Sequence, residues 1–258
     1  MDLKLNGCRV IVTAGAAGIG LEVARAFIEE GARVWVCDVD QAALDALAES
    51  DPAIRAARCD VTDRAGVAAF FAQATTDLGG LDCLVNNAGT AGATAKVEET
   101  APEDWDRCVD VCLTGQFNFA RLAAPLLRAS DNGSMINFAS AAGKHGFALR
   151  SAYAAAKWGV IGLTKSLSIE LGEDGVRVNA ILPGIVAGDR QRRVLEAKAQ
   201  RLGKTFAEIE AAAFSYTSIR DYVTARQLAD QILFLASPRG RTISGQAISV
   251  DGDTKMLA

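Results

Sequence analysis

Short apolar segments alternate with longer amphipathic segments along almost the whole chain, and this alternation constrains the fold more than any other feature. Strands are predicted at residues 9–13, 33–37, 55–59, 81–85, 135–138, 176–182 and 247–250. Helices are predicted at about 19–30, 41–49, 64–78, 102–128, 151–172, 189–214 and 225–236. Apolar strands joined by helices indicate a parallel sheet covered on both faces. Right-handed crossovers then give an α/β fold with a doubly wound parallel sheet.

The 258 residues contain no internal repeat, no low-complexity stretch and no linker, and the five prolines argue against a domain boundary. We therefore expect one Rossmann-type domain over residues 1–258. In a doubly wound sheet, the ligand crevice lies beyond the carboxyl ends of the strands. The motifs described below follow predicted strands and therefore fall on that edge.

A glycine-rich turn, TAGAAGIG at residues 13–20, follows the first strand and opens a helix. Glycine lets the backbone approach a pyrophosphate, and the helix N-terminus offers unpaired N–H groups and a partial positive charge. In isolation, the same letters also fit a tight turn without a ligand. Asp38 ends the second strand, 18 residues after Gly20, where a carboxylate can accept hydrogen bonds from the adenosine ribose. That carboxylate would repel a 2′-phosphate, which favours NAD over NADP.

Two further strand ends suit a nucleotide. Asp60 follows the third strand, where its carboxylate can accept a hydrogen bond from the adenine amino group. Residues 86–89, with the sequence NNAG, follow the fourth strand. Their small side chains leave room for the nucleotide, and an asparagine can tie neighbouring strand ends together.

Tyr153 and Lys157 lie four residues apart at the start of the helix that follows the fifth strand, so they share one helix face. An ammonium favours the ionised form of a nearby phenol, which can then act as general base on an alcohol. A Tyr/Lys pair on a surface helix is the plainer reading of so short a motif. Ser140 ends the fifth strand, 13 residues before Tyr153, and its hydroxyl can orient a substrate oxygen. The three residues together predict a catalytic set.

In this order and spacing, the motifs resemble the short-chain dehydrogenase/reductase family from about Leu5 to Gly252. The resemblance also includes Asn179 and the closing segment SGQAISVDG at residues 244–252. It implies a seven-stranded sheet, a nicotinamide cofactor, and tetramers or dimers that pair through the helices predicted at 102–128 and 151–172. It implies that Ser140, Tyr153 and Lys157 are catalytic. The residues expected to bind NAD are Gly15, Gly18, Ile19, Gly20, Asp38, Val39, Asp60, Val61, Asn87, Ala88, Gly89, Tyr153, Lys157, Pro183, Gly184 and Ile185.

Three positions depart from the family pattern. Ala14 stands where a glycine is usual, and we expect Gly15 to absorb the turn. Cys112 stands where the family has a fourth catalytic residue, an asparagine that helps to anchor a water in the proton relay from the lysine. A thiol is a weaker donor and acceptor than an amide. After Pro183-Gly184, Gly188 or Asp189 stands where a cofactor-binding threonine is usual.

The resemblance places the substrate pocket at residues 141–150 and at a loop-helix segment of about 185–222. The second segment is rich in charged residues. One interpretation is a solvated, mobile lid. The other is that basic side chains of both segments bind an anionic or polyhydroxy substrate such as a sugar acid. The candidates are His145, Arg150, Arg190, Arg192 and Arg193.

Composition excludes several classes of partner and site. The net charge is −4 and no long basic run occurs, so we expect neither nucleic acid nor a membrane surface as partner. The N-terminus lacks the pattern of a signal peptide, and no apolar run reaches the length of a membrane span. Six cysteines without a C-x-x-C pair indicate reduced thiols and a cytoplasmic protein. With His145 as the only histidine, we expect no metal site.

The sequence therefore predicts an NAD-dependent oxidoreductase that acts on a secondary alcohol or the matching carbonyl, with a sugar, a sugar acid or another polar hydroxy compound as the candidate substrate. One alternative is a 3-oxoacyl reductase that uses NADP, although Asp38 and the net negative charge of the chain argue against it. A sugar-nucleotide epimerase would need a longer chain. Cys112 leaves open a third reading, a non-catalytic sensor or scaffold that binds NAD.

Overall fold

The computed structural model describes residues 2–257, and its centre is a parallel sheet of seven strands. The strands are β1 (Arg9–Thr13), β2 (Arg33–Asp38), β3 (Arg55–Arg58), β4 (Cys83–Asn86), β5 (Ser134–Phe138), β6 (Arg177–Pro183) and β7 (Ala247–Val250). Their spatial order is β3-β2-β1-β4-β5-β6-β7. The predicted fold class is confirmed, and each predicted strand lies within two residues of its observed bounds.

Helices pack on both faces of the sheet. They are α1 (Gly18–Glu29), α2 (Gln41–Ser50), α3 (Arg64–Leu78), α4 (Pro102–Val109), α5 (Gly115–Arg128), α6 (Ser151–Gly172), α7 (Asp189–Leu202), α8 (Phe206–Ser215) and α9 (Ala225–Ala236). Successive side chains of a strand point to opposite faces. In β1, Val10 and Val12 therefore pack in a core with α1, α2 and α9, whereas Ile11 packs in a second core with α3 and α5.

The order of the strands reverses between β1 and β4. β1 pairs with β2 on one side and with β4 on the other, so the chain leaves β1 in one direction and later returns on the opposite side. A crevice forms beyond the carboxyl ends of strands at such a switch point. The glycine-rich turn after β1 and the NNAG segment after β4 both open into this crevice.

The helix predicted over residues 102–128 is interrupted. α4 and α5 are joined by one π-helical turn, Asp110–Thr114, which contains the buried Cys112. Gly115 follows this turn and packs against the segment that leads into α3. A methyl group at Gly115 would stand 2.6 Å from Val61 Cγ2. Single π turns within α-helices are frequent at functional sites. The sequence pattern misses the turn because the apolar spacing changes over only a few residues.

The helix predicted over residues 189–214 is wrong as one element, because the structure forms two helices. Gly203 ends α7 with a left-handed φ of 62°. Thr205 then starts α8, since its hydroxyl accepts from the Glu208 amide while the Glu208 carboxylate accepts from the Thr205 amide. A C-terminal glycine followed by this capping box is a local signal for a break.

All six cysteines are free thiols and all are buried. Across residues 2–257, no helix combines the length and the hydropathy that a membrane crossing requires. Within the same range, no three His, Cys, Asp or Glu side chains are grouped so that they could hold a metal ion.

Candidate active site

The turn between β1 and α1 is closely packed at Gly15 and Gly20 and open at Gly18. Ala17, the N-cap of α1, makes no side-chain hydrogen bond to the helix, so it leaves the first N–H groups of α1 uncapped. Gly18 has a φ of 56°, and a methyl group at its position would meet no atom within 4 Å. At Gly20, a methyl group would stand 2.2 Å from the Ala14 carbonyl oxygen. Exposed N–H groups above a close-packed turn fit a pyrophosphate.

The strained residue of this turn is Ala14, and the expectation that Gly15 absorbs the turn is wrong. Ala14 has a φ of 50°, in the left-handed region that disfavours a side chain. Gly15 is required for a different reason, because a methyl group there would lie 2.6 Å from the Val36 side chain. The alanine makes the turn, and the glycine lets the turn approach β2.

Asp38 holds its carboxylate beside the glycine-rich turn. Oδ2 accepts a hydrogen bond from the Ala16 amide at 3.2 Å, and Oδ1 accepts one from the Asp40 amide at 3.2 Å. Just after β3, Asp60 Oδ1 accepts from both the amide and the hydroxyl of Thr62, at 2.9 Å and 2.8 Å. Two oriented carboxylates thus line the outer part of the crevice, where the adenosine of a dinucleotide would lie.

Hydrogen bonds join the ends of β1 and β4 across the crevice. The Asn87 side chain donates to the carbonyl oxygens of Thr13 and Ala14, each at 3.0 Å. The Thr13 hydroxyl accepts from the amides of Asn87 and Ala88, at 3.0 Å and 2.9 Å. Gly89 follows, and a methyl group there would lie 3.5 Å from Lys157 Nζ and 3.7 Å from Cys112 Sγ. This segment connects the cofactor turn with the candidate catalytic residues.

Ser140 begins a 3-10 turn directly after β5. Its Oγ accepts a hydrogen bond from the Ala142 amide at 3.2 Å, which orients the hydroxyl while its proton can still be donated. Gly143 ends the turn against α6, where a methyl group would stand 2.9 Å from the Lys157 carbonyl oxygen. The turn that carries Ser140 therefore packs on the same part of α6 that carries Lys157.

Tyr153 and Lys157 occupy the first two turns of α6. Lys157 is buried, and its Nζ lies 5.7 Å from the centroid of the Tyr153 ring. Lys157 Nζ also donates to the Phe138 carbonyl oxygen at 2.6 Å. Phe138 is the last residue of β5 and stands two residues before Ser140, so β5 and α6 bring the three candidate catalytic residues to one place.

The thiol of Cys112 lies against the segment after Asn87. Its Sγ accepts from the Thr90 amide at 3.4 Å and donates to the Thr90 carbonyl oxygen at 3.5 Å. The hydrogen bond with the Cys108 thiol lowers the pKa of Cys112, burial opposes this shift, and the Lys157 ammonium lowers the pKa further. Cys112 therefore lies close enough to Lys157 for the ammonium charge to affect the pKa of the thiol.

Gln116 is a candidate that the motifs do not identify. It is buried in α5, and its amide donates to the carbonyl oxygens of Cys112 at 3.1 Å and of Phe138 at 3.0 Å. The Phe138 carbonyl is the one that also accepts from Lys157. A polar amide side chain four residues after Cys112, on the same face of the helix, is the signal that could have indicated it.

Two of the five predicted substrate residues contact the segment after β4, and one of them, Arg150, lies beside Tyr153. The Arg150 guanidinium carbon is 4.8 Å from the centroid of the Tyr153 ring and 5.1 Å from that of Phe147. Arg150 also donates to the Ala91 carbonyl oxygen. Arg190 extends from the start of α7 and donates to the Thr90 carbonyl oxygen at 3.0 Å. Both arginines therefore contact the segment that follows β4.

The other three predicted substrate residues are His145, Arg192 and Arg193, and they lie elsewhere on the surface or in another cleft. His145 Nε2 lies 3.1 Å from the Thr254 carbonyl oxygen, in an open cleft of about 480 Å³ that Ser140, Tyr153 and Lys157 do not line. Arg192 pairs with Glu196 at 2.9 Å, and Arg193 is exposed. Within the described range, none of their hydrogen bonds or ion pairs joins them to the candidate catalytic residues. Lys198, which was not predicted, instead lies 5.9 Å from the centroid of the Phe147 ring.

A comparison with known families matches residues 14–253 to the model described as Enoyl-(Acyl carrier protein) reductase, one of the short-chain dehydrogenase/reductase models. The chain belongs to the short-chain dehydrogenase/reductase family. It is 35% identical to D-beta-hydroxybutyrate dehydrogenase of Cupriavidus necator over 96% of this chain and 98% of that protein. The chain is therefore an oxidoreductase.

Solved structures of family members agree with the fold and differ in cofactor. NAD+-bound xylitol dehydrogenase is 27% identical with a TM-score of 0.92, covering 96% of this chain and 99% of that one. Actinorhodin polyketide ketoreductase with NADPH is 32% identical with a TM-score of 0.89, covering 94% and 95%. Membership of the short-chain dehydrogenase/reductase family implies a nicotinamide cofactor, which the open glycine-rich turn and uncapped α1 fit.

Proposed function

We propose that the protein transfers a hydride between a secondary alcohol and NAD, with Ser140, Tyr153 and Lys157 as its catalytic residues. The observation that carries the proposal is the position of Lys157 Nζ, 5.7 Å from the Tyr153 ring and anchored at the Phe138 carbonyl beside Ser140. A bound nicotinamide supplies the hydride chemistry. The residues of this chain handle the proton and orient the substrate.

Tyr153 accepts the hydroxyl proton of an alcohol, or donates a proton to a carbonyl oxygen in the reverse direction. The Lys157 ammonium stabilises the phenolate that forms. Ser140 donates a hydrogen bond to the substrate oxygen, because the turn holds its Oγ in place from the other side. The residues proposed to bind the dinucleotide are those named from the sequence, from Gly15 to Ile185.

NAD is proposed over NADP on the position of Asp38. Its carboxylate is oriented by the amides of Ala16 and Asp40, at the edge of the turn that would hold the pyrophosphate. Ribose hydroxyls can donate to such a carboxylate, whereas a 2′-phosphate would meet a like charge. The xylitol dehydrogenase structure with NAD+ is consistent with this choice, and the ketoreductase with NADPH represents the alternative.

We propose a small polar hydroxy compound as substrate, bound between the serine turn and residues 185–222 of a single domain. The relatives named for hydroxybutyrate and xylitol act on compounds of this kind. We also propose a cytoplasmic homo-oligomer, a tetramer or dimer. Large apolar side chains are exposed on the three helices expected to pair: Trp105 on α4, Phe117 on α5, and Trp158 and Ile169 on α6.

The test is the formation of reduced cofactor with a panel of polyols, sugars, sugar acids and hydroxy acids, with NAD and NADP in parallel. Tyr153→Phe is the matched variant, since it removes one hydroxyl and keeps the ring. We expect turnover with NAD and its loss in the variant. NADP-dependent reduction of 3-oxoacyl compounds would instead favour the reductase alternative. Tight NAD binding without turnover of any compound would favour the sensor.

A further inference from the structure

Three basic side chains lie around the loop before Tyr153 and the segment after β4, and none of them forms an ion pair within residues 2–257. Arg150, the residue before α6, lies over the Phe147 and Tyr153 rings, and Lys198 of α7 lies near the Phe147 ring. Arg190 of α7 donates to the Thr90 carbonyl oxygen. Among the ion pairs of residues 2–257, none involves these three. Two other basic residues of α7 do form ion pairs, Arg192 with Glu196 and Arg201 with Glu99. Three basic side chains that form no ion pair in the described range are thus grouped around Phe147 and the segment after β4.

Arg150 is the centre of this group. It is only 5% exposed, and its guanidinium lies over the rings of Phe147 and Tyr153. One Nη atom donates to the Ala91 carbonyl oxygen, while the buried Nε has no acceptor in the described part of the chain. A buried charged donor without a partner is costly, and an oxyanion is the group that satisfies a guanidinium best.

Lys198 shares the Phe147 ring with Arg150. Its Nζ lies 5.9 Å from the ring centroid, whereas the Arg150 guanidinium carbon lies 5.1 Å from it. Burial lowers the pKa of Lys198, and the positive charges of Arg150 and Lys204 lower it further. Burial also lowers the pKa of Arg150, the nearby Tyr153 opposes this shift, and the charge of Arg190 adds to it. The cations repel each other, and a bound anion would remove that repulsion.

We propose that the substrate carries a carboxylate, which Arg150 and Lys198 bind beside Phe147 while Arg190 closes the pocket from α7. This inference rests on the proposed function, because it names the substrate class of the same site. Arg150 stacks on the very ring whose hydroxyl handles the proton. The carboxylate therefore lies only a few bonds from the reacting hydroxyl, as in a short-chain hydroxy acid.

The first experiment compares 3-hydroxybutyrate with 3-hydroxybutanamide, which has nearly the same shape without the charge. We expect kcat/KM with NAD to be about tenfold or more higher for the acid. In Lys198→Met, KM for the acid should rise about tenfold with little change in kcat, whereas kinetics with the amide should not change. Lys198→Arg should retain the preference, and Arg201→Gln is the control that removes one positive charge from the same helix.

A second measurement does not depend on turnover. Calorimetric titration of the enzyme–NAD complex with butyrate or butanamide reports binding alone. Butyrate should bind about tenfold more tightly than butanamide, and Arg150→Met or Lys198→Met should abolish the difference. Thermal unfolding of each variant verifies that it is folded. Equal binding of the two probes, or an equal KM effect on acid and amide, would overturn the carboxylate site. Absence of turnover with every alcohol, while butyrate still binds, would overturn the proposed function instead.

Discussion

The side-chain amide of Gln116 donates a hydrogen bond to the main-chain carbonyl of Cys112 at 3.1 Å. The same amide donates to the Phe138 carbonyl, which also accepts from the Lys157 ammonium. Gln116 therefore connects the π-helical turn of Cys112 with the anchor of Lys157. Where the family pattern has an asparagine amide, this chain has a thiol at position 112 and an amide one helical turn later.

Replacing Gln116 by methionine, which keeps the length of the side chain, should lower kcat about tenfold, corresponding to about 1.4 kcal/mol in the barrier. The reason is that the Cys112 and Phe138 carbonyls lose a donor, so Lys157 is held less firmly relative to Tyr153. The pH dependence of kcat should shift in this variant, because the Lys157 charge is then held less firmly beside the residue that transfers the proton. Gln41→Met, on the exposed face of α2, is the control.

A rescue experiment separates positioning from folding. In the double variant Cys112→Asn with Gln116→Met, the asparagine restores the amide of the family pattern, and kcat should recover at least in part. Gln116→Met with a lowered melting temperature but an unchanged pH profile would show that the amide only stabilises the fold. Failure of the double variant to recover would count against the compensation between the two positions.

Asp38→Ser should reverse the preference for the cofactor. Without the carboxylate, a 2′-phosphate no longer meets a like charge, and Arg58, paired with Asp38 across β2 and β3, can supply a positive one. The ratio of kcat/KM for NAD to that for NADP should fall by about 100-fold, because the variant loses one repulsive charge contact with the 2′-phosphate and can gain one attractive contact. Asp45→Ser on the same side of the sheet should leave the ratio unchanged. An unaltered ratio in Asp38→Ser would contradict the reading of Asp38 as the selective residue.

Ala14→Gly should stabilise the protein by about 1 kcal/mol, because alanine is strained at a φ of 50° and glycine is not. For a chain of this size the melting temperature should rise by about 2–4 °C. Ala72→Gly on the exposed face of α3 should have the opposite effect, about 1 kcal/mol of destabilisation. If both substitutions destabilise the protein equally, the strain at Ala14 is not real.

Asp82→Asn should destabilise the protein by about 1–3 kcal/mol at neutral pH. Although burial raises the pKa of the Asp82 carboxyl, hydrogen bonds from the Arg9 guanidinium, the Ser130 hydroxyl and the Arg9 amide lower it below its usual value. A carboxyl whose pKa is lowered on folding stabilises the folded protein at pH values above its unfolded pKa of about 3.9. This stabilisation is lost as the pH falls through the pKa of the folded state. The free-energy difference between wild type and variant, from denaturant unfolding, should therefore narrow below about pH 4.

The exposed pair of Arg128 and Asp174 provides the comparison for that experiment. Both side chains are close to half exposed, so Asp174→Asn should cost less than about 1 kcal/mol. A cost as large as that of Asp82→Asn would mean that burial and the number of hydrogen bonds do not decide the strength of these pairs.

The sequence alone determined what depends on local patterns. Strands of apolar residues, the glycine-rich turn, Ser140 at a strand end and the four-residue spacing of Tyr153 and Lys157 all follow from short stretches of chain. The physical reason is that burial on both faces of a sheet and the pitch of a helix each determine a spacing of apolar and polar residues that can be read along the chain.

Only the tertiary structure decided which distant side chains meet. Lys198 and Arg150 both lie near the Phe147 ring because the chain brings α7 beside the loop that precedes α6, and no local sequence pattern predicts that contact. The positive φ of Ala14 and the close approach of Gly15 to Val36 are likewise visible only in the folded chain. Contacts between elements depend on how whole helices and strands pack, which the residues of one segment do not encode by themselves.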